Sequence, residues 1–210
     1  LTRPPRTLYF TAEPLEYPRS DWPASYELIG PATWSPPAET PTWLDDVNQP
    51  IILVTCSTER LADRAILESA LEGLADEDVF VIGTSAAEDP DSFHVPPNAR
   101  VERFLPHDPI IKRAAAVVCH GGMGITQRAL SNGVPVCVVP HGRDQPDVAR
   151  RVEFTDAGVR LPLKQLDPRS IREAVATTRA KNPGADRVAK GFSGAGGSAR
   201  AADIVEILVG

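Results

Sequence analysis

The sequence predicts an α/β fold: a parallel sheet with helices on both of its faces. Short apolar runs, such as those over 51–56 and 114–118, lack polar alternation, the mark of strands covered on both sides. Between them lie stretches whose apolar residues recur at helical spacing, as with Leu67, Leu71 and Leu74. Strand and helix patterns then alternate along most of the chain, which winds a parallel sheet. Ligands of such sheets bind at the carboxyl ends of the strands.

In chain order, residues 1–48 are rich in proline and are expected to be extended chain, a linker to a globular domain over 49–210. Its aromatics, among them Tyr9, Tyr17, Trp22, Tyr26, Trp34 and Trp43, are too many for a free tail and are expected to pin it to a globular surface. Strands are predicted over 51–56, 79–82, 101–105, 114–118 and 136–139. Helices are predicted over 61–74, from Asp108 as cap with Pro109 at the first helical position, and over 125–132, 144–157, 169–179 and 198–208. Gly83 and Gly158 are read as closing the strand and the helix that precede them.

The stretch Cys-His-Gly-Gly-Met-Gly-Ile-Thr that begins at Cys119 organises the rest. It reads as the end of a buried strand, a glycine turn and a helix, with Gly133 at the helix stop and Pro135 forbidding continuation. Gly121, Gly122 and Gly124 bare the backbone, and a helix N-terminus attracts anions. With His120 at its mouth, the turn is either a phosphate or diphosphate cradle or a site of tight packing. A hydrolase reading needs a Gly-x-Ser-x-Gly elbow, which is absent, and a P-loop reading needs Gly-Lys-Ser/Thr after the glycines, also absent.

Composition narrows the classes. A formal net charge of -6 with no basic face argues against nucleic acid. No apolar run is long enough to span a bilayer. Cys56, Cys119 and Cys137, odd in number and widely spaced within apolar runs, read as core residues of a reduced cytoplasmic protein rather than disulfides or a zinc site. His94 and His107 lack metal partners at ligand spacing, so no metal is expected. The chain begins at Leu1 and its single methionine is Met123, so it is expected to be a piece of a longer protein.

Three linked motifs, His-Gly-Gly-x-Gly over 120–124, Ala-Leu-x-x-Gly-Val-Pro over 129–135 and Pro-x-x-x-Asp-Gln over 140–145, resemble the donor-binding signature of GT-B glycosyltransferases. The similarity is to the enzymes that use UDP- or TDP-sugars in plants and in actinobacterial natural-product and glycolipid pathways. It extends to the segments 16–23, 42–58 and 103–111. The resemblance implies one Rossmann-like half of a GT-B enzyme, the C-terminal donor-binding half. The acceptor domain, with its histidine general base, would lie outside this chain, so no catalytic residue is expected here.

The resemblance also implies roles. His120, with Gly121, Gly122, Gly124, Ile125 and Thr126, would hold the donor diphosphate, and Ser57 and Thr58 would face it from the opposite loop. Phe104, Leu105 and His107 would line the base pocket; Asp144, Gln145 and His141 would meet the sugar. On residue chemistry alone Asp144 reads as a helix cap and Phe104 as a core residue, while His141 is equally a solvated loop residue. Arg128 stands where plant relatives carry a ribose-gripping glutamate, and Ser57 where many members have glycine. The expected reaction is inverting hexosyl transfer to an acceptor hydroxyl of a small molecule or lipid, with the sugar nucleotide as donor substrate and no cofactor. A nucleotide-sugar epimerase or a non-catalytic nucleotide-binding module on the same fold is the alternative.

Overall fold

The computed structural model describes residues 4–35, 37, 39–56 and 64–209. In chain order its elements are β1 (Thr7–Tyr9), β2 (Tyr26–Leu28), β3 (Ile51–Thr55), α1 (Arg64–Gly73), β4 (Phe80–Thr84), β5 (Ala99–Glu102), α2 (His107–Ile111), β6 (Ala114–Cys119), α3 (Met123–Ser131), β7 (Val136–Val138), α4 (Gln145–Phe154), β8 (Gly158–Arg160), α5 (Pro168–Arg179), α6 (Asn182–Ala195) and α7 (Gly197–Val209).

The expected parallel sheet is present. Six strands pair in the order β5-β4-β3-β6-β7-β8, all parallel. The chain winds outward from β3 to β5, then returns beside β3 with β6 and winds the other way. That reversal opens a crevice between the carboxyl ends of β3 and β6, the place where doubly wound sheets take their ligands.

Period-two alternation divides the strands between two cores. Leu53, Ile82, Val117, Val136 and Val138 face one layer, packed against Ile110 of α2, Leu130 of α3, Val152 of α4 and Val188 of α6. Ile52, Val54, Val81, Ala116 and Val118 face the other, packed against Ile66 and Leu67 of α1 and Ile171 and Val175 of α5. Full burial of a side chain of this size contributes roughly 1.5–3 kcal/mol.

The N-terminal segment is more than an extended linker. β1 and β2 form a small parallel sheet of their own. Ala12, Leu15, Leu44 and Val47 are buried within the first core, so aliphatic residues anchor the segment. The aromatics mostly do otherwise: Tyr9, Trp22 and Tyr26 pack on one another at ring separations of 5.2–5.9 Å. Tyr17 meets the domain edge-on at Phe154 of α4, and Trp43 packs against the first core with Arg100 over its ring. Arg151 of α4 adds a link to Glu16 at 3.0 Å.

Several boundaries differ from expectation. β4 continues through Gly83, where a β-carbon would stand 2.7 Å from Leu67; this glycine admits the packing of α1 instead of ending the strand. β5 is Ala99–Glu102, so Phe104 and Leu105 lie in the loop beyond it. Pro106 is the residue before α2, and Asp108 sits inside its first turn without capping it. α3 begins two residues early, at Met123. Gly158 opens β8, where a β-carbon would overlap the Val136 carbonyl. β8 and α6 were not expected at all. Leu61, at the start of the predicted 61–74 helix, lies outside the described residues.

Candidate functional site

Strand β6 is buried to its last residue, and Cys119 hands the chain to His120 at the edge of the crevice. Gly121 then turns with φ +95°, a conformation that disfavours any side chain, and its α-carbon leaves no room beside Val138. Gly122 precedes α3 as its cap residue. The His120 imidazole lies against it: a β-carbon there would be 2.7 Å from Nε2. A β-carbon on Gly124 would meet nothing within 4 Å, so the first turn of α3 is open to an incoming ligand.

The first helical hydrogen bond of α3 runs from the Thr126 amide to the Gly122 carbonyl at 3.1 Å. The amides of Met123, Gly124 and Ile125 therefore come before the ladder and point out of the helix end. An imidazole, three backbone donors and the positive end of a nine-residue helix converge on one patch. This is a ready receptor for a phosphate oxyanion.

Neighbouring elements close on the same patch. A β-carbon at Gly121 would be 3.4 Å from Cβ and O of Gln145, so the start of α4 abuts the turn. Gln145 is buried, and its side-chain oxygen accepts from the amides of His141 at 2.8 Å and Gly142 at 3.1 Å. It thereby shapes the loop between β7 and α4. Asp144 occupies the cap position of α4 but makes no side-chain cap hydrogen bond, and its carboxylate is exposed. On the other flank, His107 Nε2 lies 3.2 Å from the Thr84 hydroxyl at the end of β4. Arg128, on the second turn of α3, sits 3.5 Å from Asp108 of α2 and donates to the Trp34 carbonyl at 2.9 Å.

Residues 68–206 match the family described as erythromycin biosynthesis protein CIII-like, C-terminal domain. The chain belongs to that family. Over 172 residues it is 37% identical to 4'-demethylrebeccamycin synthase of Lentzea aerocolonigenes, covering 79% of this chain and 40% of that protein. It is 39% identical over 171 residues to a PGL/p-HBAD biosynthesis rhamnosyltransferase of Mycobacterium bovis (strain BCG / Pasteur 1173P2), covering 80% and 37%. The chain thus spans about two fifths of the length of these curated relatives. Among solved structures, the calicheamicin glycosyltransferase CalG4 superposes with a TM-score of 0.82 at 25% identity, over 98% of this chain and 52% of that one. The glycosyltransferase VinC in complex with dTDP gives 0.75 at 25% identity, over 94% and 50%. The fold is accordingly the Rossmann-like half of a GT-B glycosyltransferase, the class expected from the motifs.

Within this CIII-like domain most of the residues singled out from sequence gather at one sheet edge, but not all in the expected posture. Thr126 is turned inward: its amide belongs to the helix, and its hydroxyl is fully buried 3.9 Å from Cys119 Sγ. The early start of α3 is the cause: it places Thr126 within the helical ladder with its hydroxyl toward β6. Leu105 is partly buried and packs against the first core. Phe104 is the reverse, 74% exposed, a bare ring beyond β5. Ser57 and Thr58 lie outside the described residues.

Burial pulls the His107 pKa down to about 4, reinforced by the nearby Arg128 guanidinium and opposed by Asp108. The ring is therefore neutral near pH 7 and suited to a hydrogen bond, not to holding an anion by charge. No group of three His, Cys, Asp or Glu among the described residues is placed to hold a metal ion. No helix among them is long and apolar enough to cross a membrane. Sequence reasoning passed over Gln127, whose buried amide donates to the Phe10 carbonyl at 2.6 Å. Its one signal was a polar residue on an otherwise inward helix face.

Proposed function

We propose that this domain binds the sugar-nucleotide donor, UDP- or TDP-linked, of an inverting glycosyltransferase that delivers a hexose to an acceptor hydroxyl. The observation that carries the reading is the posture of His120 over Gly122, beside the three free amides of α3 and the open space at Gly124. A diphosphate suits that set, which offers its oxygens an imidazole and three backbone N–H donors. His120 with Gly121, Gly122, Gly124 and the Ile125 amide would hold it. Phe104 and His107 would lie toward the base, and Asp144, Gln145 and His141 toward the sugar. In this reading residues 1–48 connect the donor domain, 49–210, to an acceptor domain that supplies the general base.

During transfer, negative charge grows on the departing diphosphate. The end of α3 stabilises it by about 0.3–1 kcal/mol when exposed and up to ~2 kcal/mol when partly buried. The His120 hydrogen bond adds to this, and no metal ion is needed to hold the charge. That is a small part of a glycosyl-transfer barrier, so alignment of donor and acceptor and removal of the acceptor proton carry the rest. Binding and transfer are thus separable, and the domain by itself is a donor receptor. The setting proposed with this reading is cytoplasmic, where Cys56, Cys119 and Cys137, none of them in a disulfide, stay reduced.

Calorimetric titration of the domain with UDP and TDP tests the proposal. Saturable heat with either nucleotide, weakened by His120→Ala far more for the diphosphates than for uridine, is the expected result. A folded sample that gives no heat with either, or equal losses for uridine and UDP, overturns it.

A further inference from the structure

Trp34 and Phe104 share the largest exposure of any aromatic among the described residues, 74% each. Trp34 is nonetheless held in place. Arg128 Nη2 donates to its carbonyl at 2.9 Å. The same guanidinium pairs through Nε with Asp108 at 3.5 Å, and Asp108 follows Phe104 by one short loop. His107, beside Asp108, is fastened to Thr84 at the end of β4. Gln127, next to Arg128 on α3, grips the Phe10 carbonyl and gives the N-terminal segment a second tie to this helix.

Side chains on a helix lean toward its N-terminus, so Arg128 reaches back toward the turn that carries His120. One cation therefore gathers three segments: the phosphate-facing helix, the segment of Phe104 and the segment of Trp34. Its own charge is met by Asp108 and the carbonyl, and its side chain is only 25% exposed. Arg128 is placed to position its neighbours.

We propose that Trp34 is the outer wall of the nucleoside subsite, held by Arg128 and facing the planar base of a nucleoside diphosphate. The inference rests on the donor-site reading above and extends it. A bare indole and a bare phenyl ring tied to a diphosphate receptor suit a ligand that has a π-face at one end and a diphosphate at the other. Stacking tolerates any base, whereas inorganic pyrophosphate offers nothing to stack. Arg128 is then a positioning residue, and Trp34 sets the preference for nucleotides over plain diphosphates.

The 210-residue chain is titrated with TDP and with inorganic pyrophosphate, following both heat and tryptophan fluorescence; its tryptophans are Trp22, Trp34 and Trp43. TDP should quench the parent, and the quench should survive Trp22→Phe and Trp43→Phe but vanish in Trp34→Phe, which still binds. Trp34→Ala should weaken TDP by about tenfold or more while pyrophosphate affinity holds. Arg128→Met should copy that split with an unchanged thermal midpoint. A quench that persists in Trp34→Phe, or Trp34→Ala binding TDP like the parent, overturns the inference and leaves the donor site standing. A parent that binds neither ligand overturns both.

Discussion

The His120 imidazole rests on the α-carbon of Gly122, so close that a β-carbon there would lie 2.7 Å from Nε2. The obstacle is the tip of a side chain that can swing away. Gly122→Ala should therefore cost little stability while displacing the ring from the end of α3. We expect nucleoside diphosphate affinity to fall about tenfold, with the thermal midpoint nearly unchanged. Gly121→Ala is the contrast, since φ is +95° and Val138 blocks the space. It should destabilise the fold by about 1–3 kcal/mol. Unfolding curves beside nucleotide titrations check both, and a Gly122→Ala protein that binds like the parent would remove His120 from the cradle.

His107 gives the fold an acid-sensitive joint. Its folded pKa of about 4 lies below the ordinary value of 6.5, so between these values the unfolded chain binds the proton and the folded chain resists it. Stability is intact above pH 6.5 and is lost as pH falls toward 4, by about 2 kcal/mol between pH 7 and pH 5. Urea unfolding at both pH values should show this drop. In His107→Gln the difference should shrink; an unchanged pH response in that variant would assign the effect to other groups.

Asp144 and Gln145 are adjacent yet differently employed. The Asp144 carboxylate caps nothing, so Asp144→Ala should leave stability and UDP affinity alone and weaken only the intact sugar nucleotide. Gln145 Oε1 serves two loop amides, and Gln145→Ala should also lower stability by about 1–2 kcal/mol. Parallel titrations with UDP and a UDP-sugar, plus melting curves, separate the two roles. Equal donor affinity in Asp144→Ala and the parent would leave Asp144 without a part in the site.

The Glu16–Arg151 pair joins the N-terminal segment to α4 at 3.0 Å, with side chains 13% and 24% exposed and Arg151 also lying over the Tyr17 ring. Glu16→Gln should destabilise by about 1–2 kcal/mol, more than a surface pair does. A double-mutant cycle with Arg151→Met measures the coupling. Additive losses would show that the pair contributes nothing beyond its separate parts.

The sheet was legible in the sequence wherever a strand is buried on both faces, because Ile51 to Val54 and Ala116 to Val118 have no polar residue to blur the pattern. Edges were harder. β5 alternates Arg100 and Glu102 with apolar neighbours, so the apolar run slid the expected strand onto Phe104 and Leu105. β8 is three residues long, and its opening glycine looked like a helix stop. α6 was hidden behind Asn182-Pro183-Gly184, which has the chemistry of a turn. The site followed the same division. The convergence of His120, Asp144, Gln145 and His107 was readable, because strand ends in a parallel sheet share an edge. The inward turn of Thr126 was not: it depends on where the α3 ladder begins, a two-residue matter that propensity does not settle.

The strand order also sets a schedule for folding. Val54 pairs with Gly83 on one side and with Val118 on the other, so β3, β4 and β5 can assemble from chain already made, while the crevice waits for β6. During synthesis the first half must persist with one edge of β3 unpaired, the kind of open edge on which chains associate with one another. A nucleotide cannot protect that intermediate, because its receptor does not exist until Gly122 has emerged and α3 has wound. Ligand added to a refolding mixture should accordingly raise the yield of the finished domain by mass action while leaving the early, aggregation-exposed phase at its unaided rate.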